Sequence, residues 1–168
     1  VSAEEAVNST ICKVRCGDGW YAIPATAVCE VLDWQTPKKV PLAPHYVAGI
    51  LAHRGDILTV VNLASVLGSA ETTKTPALVV LDPQGADERF VLAVDEVHGV
   101  EIMDDATRKP NPDMLDARTT AIFDGAYHGS EDLLVQLNLR RLSPDRVSEL
   151  FCVSPIEDYV EHAHADCR

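Results

Sequence analysis

Cysteine and histidine are the residues in this chain with the most latent reactivity, and their spacing gives them little to do. Cys12 and Cys16 lie in one alternating segment. On a strand both would face the same side, four residues and about 13 Å apart. That is too far for one metal whose sulfur ligands sit at about 2.3 Å, so both read as small buried apolar groups. His162, His164 and Cys167 form the one cluster of metal-ligating residue types, close to the C-terminus and without companion ligands at the spacing of a structural site. No metal and no cofactor are therefore expected. His45, His53, His98 and His128 are scattered, and none shares a motif with a serine or cysteine nucleophile. The chain has no phosphate-cradling glycine loop with Lys-Ser/Thr, no nucleophile elbow and no His-Glu-x-x-His. Asp104 and Asp105 are adjacent carboxylates in a loop context, where solvation is the default. No catalytic residue is assigned, and an enzyme is not expected.

Recognition chemistry is better represented. The stretch VAGILAHRGDILTVVNLASVLG, Val47 to Gly68, carries Arg54, whose planar guanidinium donates in a fixed fork suited to interfaces. Gly49 and Gly55 beside it supply backbone freedom for a turn and a close approach. Asn62 can cap the helical turn that follows, and Gly68 can end it. A fainter copy recurs 76 positions on: Gly125 follows Gly49, and Asp132, Leu134, Asn138 and Leu139 follow Asp56, Leu58, Asn62 and Leu63. A repeat without reactive groups predicts two similar lobes that hold a surface.

These residues must be positioned by short strands. Ile11 to Cys16 alternates, with Cys12, Val14 and Cys16 on one side and Lys13 and Arg15 on the other. Gly17-Asp18-Gly19 turns the chain into an antiparallel partner, Trp20 to Ile23. After Pro24, Val28, Val31 and Leu32 at i, i+3 and i+4 predict a short helix beginning on proline. Pro37, Pro41 and Pro44 mark a loop. Ile57 to Leu63 is apolar at nearly every position, as in a strand covered on both faces. Residues 69–76, SAETTKTP, read as a link between lobes. Ala77 to Asp82 and Arg89 to Val97 then form the strands of a second half, which repeats the plan. Phe90 precedes Val97 and Val100 by the intervals that separate Tyr21 from Val28 and Val31. The proline-rich RKPNPD fills the middle of that half. Ser143-Pro144 and Ser154-Pro155 each open a helix in the tail, and the last of these predicts an amphipathic C-terminal helix docked on one lobe. Short strands at this spacing favour small barrels or a sandwich.

Bulk properties narrow the partners. The 168 residues fit one ordinary domain or two small lobes, and 46% hydrophobic with 24% charged residues indicates a globular chain. A formal net charge of −12 disfavours nucleic acid and anionic membrane surfaces, which rely on Lys and Arg. No run approaches the roughly 20 apolar residues needed to span a bilayer. The opening VSAEEAVNST lacks the pattern of a secretory signal, and five cysteines form no disulfide framework, so a cytoplasmic setting is expected.

The order of elements, and above all GILAHRGDILTVVNLASVLG between YAIPATAVCEVL and VLAVDEVHGVEIM, resembles the CheW family of chemotaxis adaptors over about residues 10–142. The resemblance implies a mostly β fold with short helices: two SH3-like five-stranded β-barrel lobes packed side by side, then a C-terminal helix. It implies a leader over 1–9, a first lobe mainly over 10–68, a second mainly over 77–142, and a helical tail over 143–168. The implied role is a non-catalytic adaptor joining chemoreceptor cytoplasmic tips to a histidine kinase. The groove between lobes would contact the receptor's helical hairpin, and the second lobe would meet the kinase regulatory domain. On matching positions Val28, Glu30, Gly49 and Arg54 face the receptor, while Gly55, Gly68 and Gly125 serve turns. Two departures stand out. The family usually has Asn-Leu where this chain has Ala52-His53, which brings an imidazole and pH sensitivity to the presumed contact. In the repeat, Ser130-Glu131 replaces Arg-Gly. The alternative is a CheW-like regulatory module of another pathway, such as surface motility, or part of a longer kinase- or receiver-fused protein. A small binding or catalytic barrel using the terminal His/Cys group is the remaining reading.

Overall fold

The structure is a computed structural model that describes residues 7–84, 88–113, 117–128 and 133–152. The expected first hairpin is present. Strand β1 (Asn8–Cys16) turns at Gly17, with φ +60°, into β2 (Gly19–Pro24), pairing Ile11 with Pro24 through to Cys16 with Gly19. Proline then ends the strand, but the predicted helix does not follow. A single 3-10 turn, Ala25–Ala27, leads into strand β3 (Val28–Leu32). The periodicity misled for a physical reason. In its ladder with β6 (Ala77–Leu81), Val28 pairs with Leu81 and Glu30 with Val80, so Cys29 is an extra, bulged residue. The bulge rotates the strand and returns Val28 and Val31 to one face, which imitates helical i, i+3 spacing.

The remaining elements are β4 (Val47–His53), β5 (Asp56–Asn62), α1 (Leu63–Leu67), β7 (Phe90–Val94), β8 (Glu96–Asp104), β9 (Arg108–Lys109), α2 (Ala117–Ile122), β10 (Phe123–His128), β11 (Leu133–Leu137), α3 (Leu139–Leu142) and α4 (Pro144–Cys152). The predicted single strand from Arg89 to Val97 thus breaks near Asp95. Its continuation β8 repeats the bulge: Val97 pairs with Val14 and Gly99 with Lys13, so Val97 and Val100 share a face as Val28 and Val31 do. Part of the RKPNPD loop pairs with β10 as β9. The predicted helix at Ser154 and the terminal His/Cys group lie outside the described residues, as do Ser130, Glu131 and Asp132.

Two sheets form, with strand orders β8-β1-β2-β11-β10-β9 and β3-β6-β7-β5-β4. Consecutive lobes over 10–68 and 77–142 do not describe these sheets, because each half lends its opening hairpin to the other. Hairpin β1–β2 joins the second-half strands through the β1·β8 ladder and the parallel β2·β11 pair; hairpin β6–β7 joins the first-half strands through β3·β6 and the parallel β5·β7 pair. The two orders match position for position, and the isolated bridge Lys38↔Ile50 beyond β4 corresponds to β9 beyond β10.

Burial follows that plan. A large core between the sheets joins Cys12, Val14 and Ile23 to Val61, Leu81, Phe90 and Leu92, and takes in Leu139, Leu142 and Val147 from the helical turns. Each sheet also encloses a smaller cluster: Leu51, Leu58, Val60, Leu78, Val80 and Val91 in one, Ile11, Ala22, Tyr127 and Leu134 in the other. Strand β7 is buried at every position because Phe90, Leu92 and Val94 enter the shared core while Val91 and Ala93 enter the smaller one. Helix α4 docks by stacking Phe151 on Tyr46, with ring centroids 5.0 Å apart.

Candidate protein-binding surface

The two copies of the glycine motif do the same job. Gly49 has φ +148° and Gly125 φ +97°, and each passes under a loop carbonyl. A Cβ on Gly49 would lie 2.4 Å from the Lys38 oxygen; one on Gly125 would lie 2.3 Å from the Lys109 oxygen. Both are contacts no side chain tolerates. Gly49, one of the expected partner contacts, is buried beneath backbone that bonds to Ile50 in both directions at 2.9 Å, and its lack of a side chain seats the loop.

Arg54 and Gly55 occupy the tip of hairpin β4–β5, closed by the His53↔Asp56 pair, with φ +48° and +84°. This is the left-handed two-residue turn that matches strand twist. Arg54 tolerates the conformation that glycine adopts freely, and its side chain remains 75% exposed. Its Nη2 lies 3.1 Å from Glu30 Oε2, and His53 Nε2 lies 3.3 Å from the same oxygen. Glu30 belongs to β3, His53 ends β4 and Arg54 follows it in the turn; β3 and β4 are the outer strands of one sheet order. The cluster therefore ties the two margins of the sheet together where backbone pairing ends. His53 is the inner member, its side chain 12% exposed, so it supports Glu30 and presents little surface of its own. Nearby, Asp56 is held by Arg89 at 2.5 Å.

Val28 is half-buried against the shared core. Several aliphatics on the same sheet are uncovered. Val31 is exposed on β3, and Ile57, 73% exposed, begins the β5 row that ends at buried Val61. The other sheet repeats them: Val100 on β8, with Ile102 two positions on, and Leu133, 61% exposed, on the β11 row that ends at buried Leu137. Sequence reasoning missed Val31, Ile57, Val100 and Leu133 as surface groups because each is patterned like core. Their signal is the symmetry itself, since position 133 is the repeat of 57. Asp95 was also missed. Its nearly buried carboxylate accepts from Gly17 N at 2.7 Å and from the Thr72 hydroxyl, with Arg15 at 3.7 Å, tying the first turn to segment 69–76.

The other candidates settle as structural. Asn62 accepts from Ala64 N and Ser65 N at the start of α1, which Gly68 ends at φ +70°; Asn138 accepts from Arg141 N at α3. Cys12 and Cys16 are buried, and burial raises both thiols, Cys16 to about 11 with help from Asp95. Among the described residues no three His, Cys, Asp or Glu side chains converge as a metal site. Nor, among them, is any helix long and apolar enough to cross a membrane.

A family model for the CheW-like domain matches residues 11–147, most of the chain. The chain belongs to the CheW-like domain family. Among its relatives, a chemotaxis protein CheW of Rhizobium meliloti is 30% identical over 100 residues, 60% of this chain and 64% of that protein. A probable chemotaxis protein CheW of Rhizobium etli is 27% identical over 100 residues, with the same shares. The match thus spans less than two thirds of these relatives' length. The crystal structure of the scaffolding protein TtCheW from Thermoanaerobacter tengcongensis superposes with a TM-score of 0.73, covering 81% of this chain and 92% of that one, at 23% identity. That likeness establishes the fold. The paired sheets with short helices are the SH3-like CheW architecture, with strand pairs exchanged between barrels, and CheW-like domains are adaptor and scaffold modules.

Proposed function

We propose that this CheW-like protein is a non-catalytic cytoplasmic adaptor that couples the cytoplasmic tips of chemoreceptors to a chemotaxis-type histidine kinase. The observation that carries the reading is the hairpin tip. Arg54 stands exposed on a rigid turn, tethered by Glu30 and backed by His53, with Val28 and uncovered Val31 on the strand that supplies Glu30. An exposed fork-shaped cation and uncovered aliphatic side chains on one sheet suit an amphipathic helix, whose apolar stripe would cover the aliphatics while a carboxylate meets the guanidinium. The receptor's helical hairpin is such a partner. The kinase regulatory domain is assigned to the other barrel, so that one adaptor holds both partners at once, and array geometry supplies the effective concentration that modest single contacts need.

The test is binding of the full chain to a receptor cytoplasmic fragment and, separately, to the kinase regulatory domain, followed by the ternary mixture. Saturable binding of both at once is expected. Failure to bind either partner would sink the proposal.

A further inference from the structure

The corner between α3 and α4 carries positive charge that the fold does not require. Leu139 and Leu142 anchor α3 in the shared core and Val147 anchors α4, which turns Arg140, Arg141 and Arg146 outward. Together with Asn138 they line a hollow of about 190 Å³. Asn138 is fixed there, accepting from Arg141 N at 3.2 Å and donating to Asp124 at 3.0 Å. Asp145, in the first turn of α4, is engaged by the Ser143 hydroxyl at 2.8 Å.

Two comparisons within the molecule make the hollow informative. Elsewhere Arg15, Arg54 and Arg89 each pair with a carboxylate, and Arg108 donates to the Gln136 side chain. Among the described residues no carboxylate comes within ion-pair distance of Arg140, Arg141 or Arg146, although the chain has 26 acidic residues against 14 Lys and Arg. The repeat supplies the second comparison. Positions 140 and 141 correspond to Ala64 and Ser65 after Asn62, so the same capped turn is built in the first half without charge. Three guanidiniums held together repel, and an anion placed among them relieves that repulsion while accepting from several forks at once.

We propose that this corner binds a phosphate-class oxyanion, either a free polyphosphate or a phosphoryl group carried by a partner's side chain. The site is independent of the receptor and kinase reading. The test is an NMR titration of the full chain at constant ionic strength with pyrophosphate, with a phosphoserine peptide and with the same peptide unphosphorylated. Saturable shifts at the amides and Nε–H groups of Arg140, Arg141 and Arg146 are expected. Dissociation constants should rise about tenfold for each guanidinium removed in Arg140→Gln and Arg146→Gln. Arg146→Lys should also weaken binding, because it keeps the charge and loses the fork. Saturation by pyrophosphate supports a free ligand, and saturation by the phosphopeptide alone supports a partner-borne group. Equal binding of the unphosphorylated peptide, or shifts no larger than those at Arg15 and Arg89, would overturn the proposal. Circular dichroism and unchanged melting of each variant exclude unfolding as the cause.

Discussion

Replacing Arg54 with glutamate separates the two jobs its position allows. The pair with Glu30 is a surface one, 75% and 34% exposed, so its loss costs about 0.2–1 kcal/mol. Placing a second carboxylate about where the guanidinium stood adds a like-charge penalty of similar size. The turn keeps its left-handed strain, since neither residue is glycine. Arg54→Glu should therefore destabilise by about 0.4–2 kcal/mol, a fall of roughly 1–8 °C in melting temperature for a chain of this size. If Arg54 meets a partner carboxylate, the same change removes a charge-assisted bond and sets two like charges face to face. Receptor-fragment affinity should then fall at least about tenfold. The deciding variant is the swap, Glu30→Arg with Arg54→Glu. It rebuilds the Arg–Glu tie between the sheet margins with reversed polarity and gives up the His53–Glu30 contact, so melting should recover in part while binding does not. Binding by calorimetry and urea unfolding on the same samples give both numbers. If the swap restores affinity along with stability, Arg54 acts by closing the barrel and the contact argument is wrong.

Alanine at Gly49 or Gly125 drives a methyl group into a backbone carbonyl at positive φ, and each should cost roughly 2–4 kcal/mol by urea unfolding. Gly55→Ala, which meets nothing within 4 Å, should lose only about 1–2 kcal/mol for its φ. Leu63→Asp places a charge where the side chain is wholly buried and should abolish the folded state by circular dichroism. Alkaline stability reports Cys16. Its thiol ionises near 9 when unfolded and about 11 when folded, so the unfolded chain releases the proton first and stability falls as pH rises between those values. The slope should approach 1.4 kcal/mol per pH unit from this group alone. Cys16→Ala should flatten it, with Cys12 and Tyr21 supplying what remains; an unchanged slope would refute the assignment.

Local features of the fold were legible in the chain. The alternation of Ile11 to Cys16 gave its hairpin, Asn62 and Asn138 their caps, and the spacing of Gly49 and Gly125 a shared role. What escaped was set by partners distant in sequence. Strand β3 read as a helix because only the ladder to Val79 and Leu81 shows Cys29 bulging out. The exchange of hairpins rests on the β1·β8 and β3·β6 ladders and on the short parallel pairs Val61↔Leu92 and Val135↔Tyr21, and for the parallel pairs neither segment carries a local mark. The tie of Arg54 to Glu30 likewise joins positions that no periodicity links. The resemblance marked both residues without showing that they touch.

The traded strand pairs have a mechanical consequence. Severing the polypeptide within 69–76 would leave two fragments, neither able to complete a barrel alone, so they should recover structure only when mixed. In the intact molecule, a load applied to one barrel by a bound partner passes through shared strands into its twin.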